Sequence, residues 1–273
     1  MPALSDFARQ YLAPRDVSRD YAARLVKRAI ALESFAAADL AGSLNEATLT
    51  AFLRSLHVQP RTVRCYRADL LTLWHAAADE ELAPYPRARK VFSPRRTAQL
   101  VECYSLDEAR RLLDSAAMLT GAYRNGVARW LYWTATLRVA WESGFRRGDV
   151  WRLRRDAVQA DGAVQIVQHK TGQLAEARLS AATVAALDAI GRPQPCEWTM
   201  DASYFGRHFK RLREAAKVGR GTFKWLRRAS GSYVEAAQPG AGYRHLGHAG
   251  PGVFARHYDA RIGGAQRAAP PEL

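Results

Sequence analysis

Cysteine is scarce in this chain. Cys65, Cys103 and Cys196 are odd in number, far apart and off any metal-ligand spacing. That pattern argues against a disulfide framework and a thiolate metal site, and it suits free thiols in a reducing compartment. Acid is short as well, with 26 Asp and Glu against 41 Lys and Arg. Low-complexity runs and internal repeats are absent. With nearly half of the residues apolar, a packed core is expected rather than disorder. Met1 to Gln10 contains acid and lacks the apolar core of a signal peptide. The strongest apolar stretch, Trp130 to Trp141, is interrupted by Arg138 and is too short and too polar to cross a bilayer. A soluble, cytoplasmic protein without a membrane partner is expected.

What is present is cationic charge. The formal net charge is +15, which repels cations and attracts a polyanion. Nucleic acid is the first such partner and an anionic membrane surface the second. Most of the cations are arginines, whose planar fork fits phosphate oxygens better than an ammonium does.

The 273 residues suffice for one large or two ordinary domains. The chain to about residue 85 reads as helical. Leu4, Phe7 and Tyr11 form an apolar stripe, Ser18 and Asn45 are placed to cap helices, and Pro60 opens a further one. The Pro60 helix carries Tyr66, Leu70, Leu71 and Trp74 at helical spacing. Arg61, Arg64 and Arg67 on its first turns are candidate DNA contacts or a solvated face. Residues 86–100 hold prolines, several cations and no periodicity, and read as a basic linker. Beyond it, Ser105 to Glu108 fits a capping box, and an apolar helix covers about 125–143. The period changes to that of a β-hairpin between 163 and 179, turning near Thr171-Gly172. Helices resume over 181–190, 204–217 and 222–236. Arg207, Lys210 and Arg211 on the second of these are further candidate DNA contacts. The expected class is mainly α with a small β-sheet. It comprises a helical domain over 1–85, a linker over 86–100 and a mixed α+β domain over 101–273.

Breaking a DNA backbone without hydrolysis needs a protein nucleophile in line with phosphorus, cations on the non-bridging oxygens, and an acid for the leaving oxygen. A covalent intermediate conserves the bond energy. The chain offers such parts in order. Gly144-Phe145-Arg146-Arg147-Gly148-Asp149-Val150 ends the apolar helix, and Lys170 sits at the hairpin turn in His169-Lys170-Thr171-Gly172. Lys224-Trp225-Leu226-Arg227-Arg228 opens a helix, and Leu246-Gly247-His248 and Arg256-His257-Tyr258 follow. Each element alone has a bland reading: helix-end arginines, a glycine C-cap, a solvated turn lysine, a core tyrosine. Their joint order and spacing is the specific signal. His245, His248 and His257 have no acidic or cysteine partner in sequence, so no metal is expected.

This order resembles the tyrosine recombinase (phage integrase) family, whose pattern is Arg, Lys, His-x-x-Arg, His or Trp, then Tyr, and the resemblance covers nearly the whole chain. It implies a SAM-like core-binding helical bundle followed by a catalytic domain of the DNA breaking-rejoining type. It implies that Arg146 and Arg227 clamp the phosphate, that Lys170 protonates the 5′ oxygen, that His248 is the His of Leu-Gly-His, and that Tyr258 is the nucleophile. Asp149 stands where the family usually has glutamate. Lys224 stands where the family usually has histidine; lysine is the poorer neutral-pH base of the two but still donates hydrogen bonds and neutralises charge. The resemblance further implies double-stranded DNA as partner, tetramers on two DNA sites, accessory DNA-bending proteins, no cofactor, and a bacterial or phage-encoded, nucleoid-associated enzyme of mobile elements. With little chain before Leu4, no arm-binding domain and a short recombination site are expected. The tail after Tyr258 has Ile262 as its one obvious apolar anchor, a weak basis for assembly. A type IB topoisomerase and a catalytically silent DNA-binding protein remain as alternatives, the second motivated by Lys224.

Overall fold

The computed structural model describes residues 2–96, 100–260 and 262. The chain divides into two compact units, residues 1–98 and 99–273.

The first unit is helical: α1 (Leu4–Leu12), α2 (Arg19–Ala36), α3 (Leu40–Ser43), α4 (Glu46–Ser55) and α5 (Pro60–Asp79). Its helix starts follow local chemistry. The Ser18 hydroxyl accepts the Tyr21 N–H, the Asn45 amide oxygen accepts the Thr48 N–H, and Pro60 occupies the first turn of α5. Leu4, Phe7, Leu25, Leu32, Leu49, Leu70 and Trp74 form its core. A buried ion pair ties α2 to α5. Arg28 donates to Asp69 and to the Cys65 carbonyl, while Arg24 donates to the same Asp69 carboxylate at 2.9 Å.

Much of the basic stretch after α5 packs onto this unit rather than standing away from it. Val91 is buried in the same core. Arg67 donates to the carbonyls of Ala88 (2.5 Å) and Val91 (3.4 Å), and Arg64 to that of Arg95 (3.0 Å). Sequence periodicity is silent here because the anchoring is by arginine to backbone carbonyl. Thr97 to Gln99, the end of the expected linker, lie outside the described residues.

The second unit comprises α6 (Leu106–Ala117), α7 (Arg129–Ser143), α8 (Arg147–Arg152), β1 (Ala163–Val167), β2 (Leu174–Arg178), α9 (Ala181–Ile190), α10 (Ala202–Ala215), α11 (Lys224–Ala237), α12 (Gly242–His245) and α13 (Pro251–His257). The Ser105–Glu108 capping box opens α6. Helix α7 is central, packed against α6, α9 and α11, and it buries Tyr132, Trp133, Leu137 and Val139. Trp133 meets Trp198, Phe205 and Phe209 in an aromatic core. The strands pair antiparallel from Ala163↔Arg178 to Val167↔Leu174, so residues 168–173 form the hairpin tip. Among the described residues no helix is long and apolar enough to cross a membrane.

Candidate active site

Helix α7 stops at Gly144, whose φ is +61°. A Cβ there would come within 2.5 Å of Leu246 Cδ2 and 3.1 Å of His245 Nε2, so glycine is required both for the left-handed turn and for the close approach. The turn delivers Arg146 to the N-terminus of α8. Lys224 and Arg227 lie three residues apart at the start of α11, on one helix face. His248 follows α12, and Tyr258 caps α13.

Arg227 is the hub. Its side chain is buried, with Nη1 donating to the Gly144 carbonyl at 2.5 Å and Nη2 to the Leu246 carbonyl at 2.7 Å. Nη2 also lies 3.1 Å from His248 Nε2. The guanidinium is 5.2 Å from the Tyr258 ring centre, the Lys224 ammonium 5.0 Å, and the His248 ring 4.7 Å. Arg146 donates to the buried Gln168 side chain. Asp149, on α8, accepts the His169 N–H at 3.0 Å and so fastens the hairpin tip to the start of α8.

The charges act on one another. Burial would raise the Tyr258 phenol, but Arg227, Lys224 and Arg146 together outweigh it and hold the phenol below its ordinary range. Burial, then Arg227 and Arg146, push His248 down to about 4, so the ring is neutral at neutral pH. Arg227 can only donate, so Nε2 is the acceptor and the ring proton falls on Nδ1. Burial brings the Arg227 guanidinium down to about 10, with Tyr258 opposing that fall. His245, packed against Ser230 Oγ at 2.7 Å, is likewise near 4 through burial and then Arg227.

Arg146, Lys224, Arg227, His248 and Tyr258 therefore converge, drawn from positions more than a hundred residues apart. Lys170 does not join them: it is exposed at the hairpin tip. The basic residues of α10 make none of these contacts, and those of α5 belong to the first unit. Arg64 and Arg67 are engaged with backbone carbonyls, and Arg61 is exposed. Arg207 stacks over Tyr204 at 5.1 Å, Lys210 pairs with Glu214 at 3.7 Å, and Arg211 is exposed. No group of three or more His, Cys, Asp or Glu among the described residues is arranged to hold a metal ion. Most of the tail after Tyr258 lies outside the described residues.

Sequence reasoning missed Gln168, Ser230 and Ser232, all buried or nearly so around the cluster. The Ser232 hydroxyl bonds the backbone on both sides of Asp259. A lone serine in a helix or glutamine beside a hairpin turn carries no sequence signal for such contacts.

No protein-family model matches the sequence, and no curated protein does. Solved structures do match. A lambda integrase fragment, as a dimer bound to a COC′ core site, superposes with a TM-score of 0.76 at 17% identity over 99% of each chain. A lambda integrase tetramer bound to a Holliday junction gives 0.75 at 18%, covering 98% of this chain and 78% of that one. The XerH site-specific recombinase in a pre-cleavage complex with its difH substrate gives 0.65 at 13%, covering 90% and 88%. Similarity at these identities is a likeness of fold, and this chain has the fold of lambda integrase and of the XerH recombinase.

Proposed function

We propose that the protein is a tyrosine recombinase, cutting and rejoining DNA at specific sites through a 3′-phosphotyrosyl intermediate. The observation that carries this reading is the convergence of Arg146, Lys224, Arg227 and His248 on one buried tyrosine, in the fold of DNA-bound integrases.

The chemistry follows from the groups present. Arg146 and Arg227 clamp the non-bridging oxygens of the scissile phosphate and neutralise charge as the trigonal-bipyramidal state forms. Arg227 Nε and His248 Nδ1 are buried without a partner among the described residues, and they are donors of the kind a phosphate oxygen satisfies. Lys224 and Arg227 favour the Tyr258 phenolate, whose Oη attacks phosphorus in line. The bond from phosphorus to the 5′ oxygen breaks, and Lys170, carried on the hairpin tip, supplies that oxygen's proton. The freed 5′-hydroxyl of a partner strand then attacks the phosphotyrosine, returns the proton and releases Tyr258. No step consumes a cofactor.

The helical first unit, with residues 88–95 packed on it, would serve as the core-binding domain and the second unit as the catalytic domain. Double-stranded DNA is the partner, held mostly through phosphates and so weakened steeply by salt. Arg61, Arg207, Lys210 and Arg211 are exposed enough to reach it, and other copies of the chain complete a tetramer on two sites. Such an enzyme works in the cytoplasm of a bacterium, on phage or mobile-element DNA, with or without DNA-bending accessory proteins.

The test is an exchange assay on paired DNA sites drawn from sequence flanking the gene. Recombined flanks and a Holliday-junction intermediate are expected. Relaxation of supercoils with no exchange would replace this reading with that of a type IB topoisomerase.

A further inference from the structure

We propose that Gln168 is the positioning residue that locks Arg146 and Arg227 into one rigid phosphate clamp and keys the Lys170 hairpin to it; the assignment rests on the recombinase reading and deepens it. Gln168 follows β1 and is fully buried. Its amide oxygen accepts from the Arg146 guanidinium and, at 3.1 Å, from the Thr171 hydroxyl. Its amide nitrogen donates to the Leu246 carbonyl at 3.0 Å. That carbonyl is the one Arg227 Nη2 donates to at 2.7 Å. A continuous line of hydrogen bonds thus runs Arg146, Gln168, Leu246, Arg227. The Gln168 backbone also closes the turn that holds Lys170, donating to Gln173 and accepting from Gly172, both at 2.8 Å.

Only a neutral amide fits both ends. Arg146 needs an acceptor, and the Leu246 carbonyl, holding Arg227 Nη2 on one lone pair, takes only a donor on the other. A glutamate would face that carbonyl with an acceptor, and an apolar chain would leave the buried carbonyl and the cation without it. The neighbouring Gly247 leaves room for the amide: a Cβ there would lie 2.7 Å from Gln168 Nε2. Gln168 touches no reacting atom in this account. It acts through the arginines, fixing before DNA arrives a geometry that would otherwise be organised during the reaction.

The experiment uses the full chain with Gln168→Met, which keeps the length and removes both polar ends. In DNA-free protein, nitrogen-15 NMR of the Arg146 guanidinium, assigned by its loss in Arg146→Lys, is expected to show separate, slowly exchanging Nη signals in the parent. These should collapse to an averaged signal in Gln168→Met. On a nicked substrate, covalent adduct formation should fall about tenfold or more while affinity for uncut DNA holds within about twofold. Collapsed signals already in the parent, retained ones in the variant, or an unchanged adduct rate would each overturn the assignment. If the parent itself forms no adduct, the recombinase reading fails, and the guanidinium signals alone decide the role of Gln168. Should Gln168→Met not fold, Gln168→Glu is read instead. Its rate relative to the parent should rise as pH falls and the carboxyl gains the proton that the Leu246 carbonyl requires; a pH-independent ratio would overturn the proposal.

Discussion

The Ser232 hydroxyl on α11 donates to the Tyr258 carbonyl at 2.7 Å and accepts the Ala260 N–H at 2.8 Å. The helix that presents Lys224 and Arg227 therefore also holds the backbone that carries the tyrosine. The cations and the phenol are referenced to one rigid element, which keeps the Tyr258 ring over the guanidinium. Ser232→Ala removes both bonds while leaving the helix intact. It should cost about 1–2 kcal/mol of stability and slow adduct formation about tenfold through a misplaced tyrosine. Denaturant melts and single-turnover cleavage check this; an unchanged cleavage rate would mean that the clasp has no bearing on the chemistry.

His245 and His248 should stay neutral well below the range of an ordinary imidazole. Both sit near 4 in the fold against 6.5 for a free histidine. The unfolded chain therefore binds more protons than the folded one between those values. The two histidines cost no stability above about pH 6.5, and stability falls as pH drops from there towards 4, by on the order of a few kcal/mol for the pair. Proton NMR of the imidazole Cε1–H signals is the direct reading. Midpoints near 6.5 would show that neither burial nor Arg227 governs these rings.

Lys224 should set the pH range of cleavage. Its cation favours the phenolate, so Lys224→Met raises the Tyr258 pKa, moves the rising limb of the rate profile to higher pH, and lowers the rate at neutral pH by about 10- to 100-fold. Lys224→His should preserve or raise activity if the position plays the role histidine has in the family, whereas a large loss would show that the site is built around lysine. Rate profiles from pH 6 to 10 distinguish these outcomes, and a profile that falls without shifting in Lys224→Met would place the lysine elsewhere in the reaction.

Gly247→Ala combines two penalties. The residue has φ +59°, and the new Cβ would press on Gln168 Nε2 and, at 3.0 Å, on the Ala175 Cβ. A loss of about 1–3 kcal/mol in stability is expected, with reduced cleavage because His248 is the next residue. Thermal melts and adduct yield test it.

Much of this was legible from residue types. Helix starts at Ser18, Asn45, Pro60 and Ser105 announced themselves through capping chemistry, and the period change near 163 located the hairpin. Arg146, Lys224, Arg227, His248 and Tyr258 were readable because each motif repeats an order known from one family. The short helices α3, α8, α12 and α13 escaped, since they span too few residues for periodicity to register. The anchoring of residues 88–95 escaped as well, because arginine-to-carbonyl bonds leave no pattern in composition. Gln168 and Ser232 were invisible for the same reason: their partners are backbone groups or distant side chains that only the tertiary fold brings near.

The most direct test of the central claim is covalent capture. A DNA duplex nicked beside the cleavage point traps the intermediate, because the short 5′ fragment diffuses away. A protein–DNA adduct is expected on a denaturing gel, mapped by mass spectrometry to Tyr258, insensitive to EDTA, and lost in Tyr258→Phe while DNA binding remains. An adduct on another residue, or cleavage that persists in Tyr258→Phe, would contradict that claim.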